Sequence, residues 1–376
     1  MAKTPDKCWP CATVVRLYAG PMGIVGEGQE HSPARPGRAH LVGLDGLRGL
    51  AAFAVFGLHL QHTRHQSGWF DRAYLAVDFF FLLSGFVIGL AYEPKLAAGM
   101  SFAAYARTRL VRLYPMVVAA AVLAGPIAAA TGFAGPIWLC LVGQLTFIPF
   151  LWSPSMFPLN VPQWSLFFEL FVNFLHAGFV RLLSDRILAA VVAASAVWLI
   201  VADIADGSGG AGLELQNFID GLPRVLFSFA AGLLVSRLGR AGRLPVVRVP
   251  YLAVAAALAA VLVIPPWPWV PDWLLVLTVF PVLLILALAS PPPGRLSGFA
   301  AWAGTVSYPL YTVQAPLLRL AGVLTPVGTS GAARALYWAL VLTGIVGLAW
   351  ALARFYDAPA RRWLQRAPIE TAGLFR

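Results

Sequence analysis

The sequence predicts an all-α polytopic membrane protein. Hydrophobic residues make up 59% of the 376 residues and charged residues only 11%, whereas soluble domains carry about 25% charged residues. The mean hydropathy of +0.76 agrees with this class. Tryptophan, which membrane–water interfaces favour, occurs 13 times. A soluble globular class is therefore excluded.

Eleven apolar stretches follow one another along the chain. They lie at about 44–62, 74–92, 113–131, 137–152, 164–183, 187–204, 219–236, 250–265, 272–290, 299–322 and 335–353. If all of them crossed the membrane, the arginine-rich loops would fall on both sides. The stretch 137–152 is short and lies between Pro136 and a proline-rich connection, so we expect it to be re-entrant or interfacial. About ten transmembrane helices with both termini cytoplasmic then place every basic loop on one side.

The two ends of the chain differ in composition from its centre. Residues 1–43 lack an apolar run long enough for a signal-peptide core or a span, and we interpret them as a flexible cytoplasmic tail. Residues 44–362 form the predicted transmembrane domain, and 363–376 a short cytoplasmic tail. Cys8 and Cys11 have the CxxC spacing of redox and zinc sites, but no second ligand pair accompanies them, so their role stays open.

The net charge of +11 allows two interpretations. A basic chain can bind nucleic acid, but here the arginines cluster at the ends of apolar stretches. Such clusters are typical of topology signals and of contacts with lipid headgroups. The expected partner is therefore the lipid bilayer rather than a nucleic acid.

The first apolar stretch carries a histidine inside its hydrophobic run. Arg48 and His59 are separated by ten residues, so helix geometry places them roughly 16 Å apart along the axis. With Arg48 at one interface, His59 lies near the middle of the bilayer or a little beyond. An ionisable residue at that depth indicates function, although a neighbouring helix could also simply satisfy it.

Two carboxylates are predicted at the depth of His59. Asp78 lies a few residues inside the outer end of the second span, and Glu169 about five residues inside the next span that enters from outside. An imidazole beside a carboxylate is the arrangement of a general base. Asn173 and His176 follow Glu169 on the same helical face, which we expect to point inward. The alternative is a structural polar network between helices.

An arginine pair is predicted at the cytoplasmic face. Arg109 and Arg112 are three residues apart, so on a helix they point the same way. Paired guanidinium groups suit a phosphate or pyrophosphate, because each forms bidentate charge-assisted hydrogen bonds. The two arginines, together with Arg48, therefore indicate either a phosphate-bearing ligand or positive-inside anchoring.

Five segments carry a resemblance to a known family: LDGLRGLAAFAVFGLHL, VDFFFLLSGFVIG, RLVRLYP, WSLFFE and SYPLY. Together they resemble the acyltransferase 3 family. Its members are bacterial integral-membrane O-acyltransferases that modify lipopolysaccharide O-antigens, exopolysaccharides, Nod factors and macrolides. The resemblance extends from about residue 44 to residue 362.

The resemblance implies a role for each motif. It pairs Arg48 with His59 in one signature, with His59 as the catalytic residue, and it links Arg109 and Arg112 to acyl-CoA. The predicted depths make Asp78 and Glu169 the candidate partners of His59, and we expect Arg48 to help hold the phosphates of acyl-CoA. The candidate substrate-binding residues are Trp164, Ser165, Asn173, Tyr308 and Tyr311. This sequence departs from the family at Gln314, where members often carry histidine, and in the spacing and acid of its Tyr356–Arg361 segment.

The predicted function is O-acylation at the bacterial inner membrane. Acyl-CoA, with acetyl as the expected acyl group, would bind from the cytoplasm without a metal. His59 would activate a hydroxyl of a sugar or other cell-surface acceptor, and direct transfer and an acyl-histidine intermediate both stay open. The alternative function is a proton-coupled transporter or a translocator of lipid-linked glycans, because intramembrane His, Asp and Glu residues also build those proteins.

Overall fold

Helices form almost all the regular structure of the computed structural model, which describes residues 36–206, 212, 214–265, 267, 269–328 and 330–366. Within these ranges, β-structure is limited to one bridge between Ser155 and Glu214, so the predicted all-α class is confirmed. The helices, in chain order, are α1 Pro36–Thr63, α2 Ala76–Ala91, α3 Glu93–Ala97, α4 Phe102–Ala130, α5 Ile137–Thr146, α6 Gln163–Phe179, α7 Asp185–Asp206, α8 Gly221–Arg240, α9 Tyr251–Val263, α10 Asp272–Ala289, α11 Gly294–Val323 and α12 Gly331–Arg366.

Seven of the described helices are long and apolar enough to cross a membrane, namely α1, α2, α4, α7, α8, α10 and α12. The ten-span prediction also counts α6, α9 and α11, so that number and the cytoplasmic termini stay predictions.

The described helices extend beyond the predicted transmembrane domain at both ends. Helix α1 begins at Pro36, before the predicted boundary at residue 44, because proline is well suited to the first helical position. Helix α12 continues to Arg366, past residue 362. The CxxC pair lies outside the described residues.

Contacts between helices give their relative directions. Helices α1 and α11 run parallel, since Arg48 contacts Ser307 near one end and Gly322 packs against Thr63 near the other. Helix α6 runs antiparallel to α4, because Arg109 pairs with Glu169 and the earlier Tyr105 pairs with the later Asn173. The ten-span path requires these directions.

The segment predicted to be re-entrant folds back into the bundle. Helix α5 has 10 residues, which is about 15 Å and half of a hydrocarbon core. The residue that follows its last turn is Phe147, whose φ is +57°. The connection that follows is buried at Met156, Phe157 and Leu159, and the Asn160 Nδ2 donates to the Thr312 carbonyl in the middle of α11 at 2.9 Å. The inserted part therefore extends past residue 152, to the start of α6.

The closest helix packing joins α2 to α8 and depends on two glycines. A Cβ atom at Gly85 would collide with the backbone of Phe229, and one at Gly232 would collide with the carbonyl of Leu82. Small residues allow such close approach, which drives helix association in membranes by van der Waals contact.

We expect Gly85→Ala to destabilise the protein by about 1–3 kcal/mol, because the added methyl overpacks the α2–α8 contact. The matched control is Gly344→Ala in α12, where an added Cβ meets nothing within 4 Å; it should be neutral or raise stability by up to about 1 kcal/mol. The measurement is the melting temperature in detergent by tryptophan fluorescence. Equal shifts in both variants would contradict the proposed packing.

Candidate active site

A cavity of about 190 Å³ lies between α1, α2, α4, α6 and α11. It contains all three arginines that the sequence singled out, Arg48 from α1 and Arg109 and Arg112 from α4. Because Arg109 and Arg112 lie almost one helical turn apart, both guanidinium groups reach the same space. Three arginines and one glutamate among the lining residues give the cavity a net positive charge.

Arg48 is held in place from two helices. Its Nη2 donates to the Gly304 carbonyl at 2.8 Å and its Nε to the Ser307 hydroxyl at 3.0 Å. Asp45, one turn earlier on α1, pairs with the same guanidinium at 2.9 Å. These contacts fix the guanidinium at the edge of the cavity and leave its side chain 35% exposed.

Arg109 and Arg112 contact different kinds of partner. The Arg109 Nη2 lies 2.7 Å from the Glu169 Oε1. The Arg112 guanidinium instead lies over the ring of Tyr308, 4.9 Å from its centroid. Its Nη1 is buried and has no hydrogen-bond partner among the described residues. Arg112 therefore offers an unused donor to an anion.

Three predicted substrate-binding residues also line this cavity: Ser165, Tyr308 and Tyr311. The Ser165 and Tyr311 hydroxyls lie 2.7 Å apart, and Ser165 donates to the Pro162 carbonyl at 2.9 Å. Tyr308 donates to the Leu113 carbonyl at 2.7 Å. The cavity thus passes from an arginine-rich end to a hydroxyl-rich wall.

Glu169 does not lie where the sequence placed it. It pairs with Arg109 and accepts a hydrogen bond from Ser84 at 3.2 Å, at the arginine end of the cavity. The depth estimate counted inward from Gln163 as if that residue were interfacial. Gln163 is in fact 1% exposed, because the inserted connection starts α6 inside the bundle. Glu169 consequently lies at the level of Arg109 rather than at that of His59.

His59 lies further along α1 on the face that carries Arg48. Eleven residues make just over three helical turns, so the two side chains differ by only about 20° around the axis. The imidazole is half-buried and has no hydrogen bond with any described residue. His59 is not among the described residues that line the cavity. Contact with Asp78 or Glu169, as the sequence predicted, is not formed.

Asp78 pairs with an arginine instead of the histidine. Its carboxylate accepts from the Arg224 Nε at 3.1 Å and from the Nη2 at 2.6 Å, and both side chains are almost fully buried. The Arg224 guanidinium also lies 5.3 Å from the ring centre of Trp164. A buried carboxylate needs a cation, and α8 supplies one at matching depth. Asp78 thus pairs with Arg224 and does not contact His59, and its orienting role stays a prediction.

The remaining predicted residues, Asn173 and Trp164, pack within the bundle next to the cavity. Asn173 is completely buried; its Oδ1 accepts from the Tyr105 hydroxyl at 2.6 Å and its Nδ2 donates to the Glu169 carbonyl at 2.7 Å. Trp164 packs edge-on against Phe168. Neither Asn173 nor Trp164 is among the described lining residues.

A family profile described as an acyltransferase domain, of the acyltransferase 3 family, matches residues 41–354. The chain belongs to this family. The acyltransferase is also similar to "Protein 2 in picA locus" of Rhizobium radiobacter, with 38% identity over 162 residues that cover 37% of this chain and 85% of the relative. No solved structure matches the chain. Membership of this family identifies the chain as an acyltransferase rather than the transporter that its intramembrane charged residues also allowed.

Arg224 is the main residue of the acyltransferase that sequence reasoning missed. It lies in GLPRVLFSFAAGLL, inside an apolar helix. That position was a usable signal, because an arginine within a membrane helix almost always has a partner or a function. Among the described residues of the acyltransferase, no group of three or more His, Cys, Asp and Glu side chains could hold a metal ion.

A second cluster of charged side chains joins helices around the buried Glu93. Glu93, between α2 and α4, accepts from Arg237 at 2.6 Å and Arg240 at 2.5 Å, and His176 lies 3.5 Å away. Burial by itself would raise the pKa of the Glu93 carboxyl, but the neighbouring His176 and the hydrogen bonds from Arg237 and Arg240 outweigh it and lower the pKa to about 2. The two arginines, counted from sequence as topology signals, are thus also structural.

We expect Arg224→Leu to destabilise the acyltransferase by about 3–5 kcal/mol, because it leaves the Asp78 charge buried and unpaired. The double variant Asp78→Leu/Arg224→Met should recover most of the folded yield and melting temperature. The measurements are monodispersity and thermal unfolding in detergent. If Asp78→Asn abolished activity without lowering the melting temperature, Asp78 would have the orienting role that the sequence predicted.

The lowered pKa of Glu93 predicts a pH dependence of stability. Its ordinary pKa is 4.5, so the ionised carboxylate contributes its full stabilisation above that pH and loses it as the pH falls towards about 2. Melting temperatures measured from pH 6 to pH 3 should fall more steeply for the wild type than for Glu93→Gln. Asp185→Asn is the control, because Asp185 also pairs with Arg237 but is 73% exposed. Parallel curves for wild type and Glu93→Gln would refute this assignment.

Proposed function

We propose that this acyltransferase moves an acyl group, with acetyl as the expected group, from acyl-CoA to a hydroxyl of a sugar or other cell-surface acceptor at the bacterial inner membrane. The observation that carries the proposal is the convergence of Arg48, Arg109 and Arg112 on one cavity. The buried Arg112 Nη1 still has an unused donor. A family that transfers acyl groups needs an activated donor, and coenzyme A is a donor that carries phosphates.

The charges in the cavity fit a phosphate-bearing ligand. Glu169 offsets the charge of Arg109 and Asp45 offsets that of Arg48, which leaves Arg112 as the cavity arginine with the most free charge. Guanidinium groups bind phosphate through parallel N–H···O bonds that are about twice as strong as neutral hydrogen bonds. The same lining includes the Ser165 and Tyr311 hydroxyls, which suit the polar pantetheine arm.

His59 is the proposed general base. It lies roughly 16 Å beyond Arg48 along α1, so the thioester end of the donor, rather than its phosphates, would approach it. The imidazole takes the proton of the acceptor hydroxyl as the oxygen attacks the thioester carbonyl. The C–S bond then breaks, and the CoA thiolate leaves and is protonated. No described carboxylate contacts His59, so the neutral ring is available as a base.

Transfer in native membranes tests the proposed base. Membranes from cells that lack the gene are supplied with each variant and incubated with radiolabelled acetyl-CoA. His59→Ala should be folded yet lose about 10²- to 10⁴-fold in transfer, the contribution of a positioned base. Normal transfer by folded His59→Ala would exclude His59, and wild-type transport of a solute without release of free CoA would overturn the acyltransferase proposal.

The same assay tests the arginine cavity. Wild type should use acetyl-CoA far better than S-acetyl-pantetheine, which lacks the phosphates, and Arg112→Ala should narrow that preference by raising KM for acetyl-CoA. The exposed Arg243 supplies the control, since Arg243→Ala should retain the wild-type preference. An unchanged preference in Arg112→Ala would show that the cavity does not bind the phosphates.

A further inference from the structure

A groove of about 900 Å³ lies at the end of the bundle away from the arginine cavity. Its walls come from the turn after α4, the first turn of α5, the connection after α5 and the last part of α11. Thr131 in this wall follows Arg112 of the arginine cavity by 19 residues, which is about 29 Å of helix. The two sites thus lie about one hydrocarbon thickness apart, since a hydrocarbon core measures roughly 30 Å.

The groove is here called the Arg319 groove, after the charged residue in its wall. No other charged side chain is among its described lining residues. The Arg319 side chain is half-buried, and its guanidinium lies over the Phe133 ring, 5.4 Å from the centroid. It forms no hydrogen bond or ion pair with the described residues. A cation–π contact leaves the N–H donors of a guanidinium open, so Arg319 can still bind an anion.

Other arginines inside the bundle have a carboxylate partner. Arg109 pairs with Glu169, and Arg224 pairs with Asp78. Arg319 instead borders a groove whose described lining residues include no carboxylate. Taking a cation out of water without such a partner costs free energy. The groove therefore indicates an anion that comes from outside the chain.

The start of α5 adds positive potential to the Arg319 groove. This helix begins at Ile137, and no side chain caps its first amide groups. Pro136 and Leu139, on either side of that start, both line the groove. The N-terminus of a helix carries a partial positive charge. Its field thus has the same sign as the charge of Arg319.

Exposed apolar side chains extend the wall of the groove. Leu139 lines the groove and is exposed, as are Trp138 and Val142 on the same helix. In the connection after α5, Trp152 is 85% exposed and packs edge-on against Phe150. Tryptophan is enriched where membrane meets water. A ligand that fits both parts of this surface has an anionic head and an apolar tail.

The charges of the lining distinguish between classes of phospholipid. A zwitterionic headgroup carries an ammonium group as well as a phosphate, and the described part of the groove has no carboxylate to pair with it. A phosphatidylglycerol headgroup carries the phosphate charge alone, which Arg319 can neutralise through charge-assisted hydrogen bonds. Basic pockets between transmembrane helices bind anionic headgroups in this way.

We propose that the Arg319 groove binds the phosphodiester headgroup of an anionic phospholipid, and that the bound lipid stabilises α5 and the connection after it against α11. The guanidinium donates to the phosphate oxygens, and the acyl chains lie along the exposed side of α5. The lipid thereby joins Arg319 of α11 to the start of α5. This inference is independent of the proposed function, because it requires neither acyl-CoA nor an acceptor.

Thermal unfolding of the purified full chain in detergent tests the site, with tryptophan fluorescence as the readout. The probes are dioleoyl phosphatidylglycerol, dioleoyl phosphatidylcholine and sodium phosphate, each titrated at one ionic strength. Phosphatidylglycerol should raise the melting temperature more than phosphatidylcholine does. Sodium phosphate should have little effect, because it has no apolar tail. Hydrogen–deuterium exchange should show the largest protection by phosphatidylglycerol at residues 137–160.

Arg319→Gln separates this site from general effects of lipid. The Arg319 side chain forms no hydrogen bond with the described residues, so the variant should melt near wild type in detergent alone. It should need about tenfold more phosphatidylglycerol for half of the maximal shift, the effect of losing a charge-assisted hydrogen bond. The control Arg334→Gln removes an exposed arginine at the start of α12, near the same end of the bundle, and should keep the wild-type response.

Three results would overturn the proposal: equal shifts from the two phospholipids in wild type, a wild-type phosphatidylglycerol response in Arg319→Gln, or an equal shift from sodium phosphate, which would show a site for free anions. If Arg319→Gln does not fold, Arg319→Lys replaces it, because lysine keeps the charge but cannot form the bidentate contact. This variant should need more phosphatidylglycerol than wild type, and an unchanged requirement would count equally against Arg319.

Discussion

Charged side chains inside this bundle must be paired, and that requirement fixes how its helices meet. An unpaired charge in a low-dielectric interior costs several kcal/mol, whereas a well-formed pair roughly offsets its own desolvation. Asp78 and Arg224 therefore set the register of α2 on α8. Arg109 and Glu169 do the same for α4 and α6, and the bonds to Glu93 close the basic end.

Some buried polar groups do not meet this requirement for a partner. Within the described part of the chain, the buried Arg112 Nη1 has no hydrogen-bond partner, and neither has the side-chain oxygen of Gln144. His59 is a half-buried imidazole with no hydrogen bond in the described part of the chain. Native folds tolerate such groups mainly where a ligand satisfies them. Arg112 and His59 lie at different levels of the bundle, because Arg112 borders the arginine cavity and His59 does not.

The inserted segment brings irregular backbone into the interior of the bundle. Helix α5 turns back at Phe147, and the connection after it reaches the middle of α11 through Asn160. Irregular backbone at this depth is tolerated only where protein buries it or where it lines a cavity. Here the connection is buried against the middle of α11 through Asn160.

The sequence predicted which arginines share the cavity, but it did not predict the partner of the buried Asp78. Arg109 and Arg112 had to share a direction, because they lie three apart on a helix, and their convergence with Arg48 was predictable from the charge at that end. The pairing of Asp78 with Arg224 was not predictable, because the two residues lie 146 positions apart in the chain. Periodicity does not encode which helix a buried carboxylate will face.

The sequence by itself determined the helical membrane class, the short apolar segment after Pro136, the family and the arginine cluster. These depend on composition, helical period and local order along the chain. Only the tertiary structure decided the depth of Glu169, because the insertion that starts α6 inside the bundle depends on packing against α11. It alone also paired Asp78 of α2 with Arg224 of α8. Hydrophobicity reports how much of a helix is buried, but the identity of its neighbours is set by packing and pairing across the whole bundle.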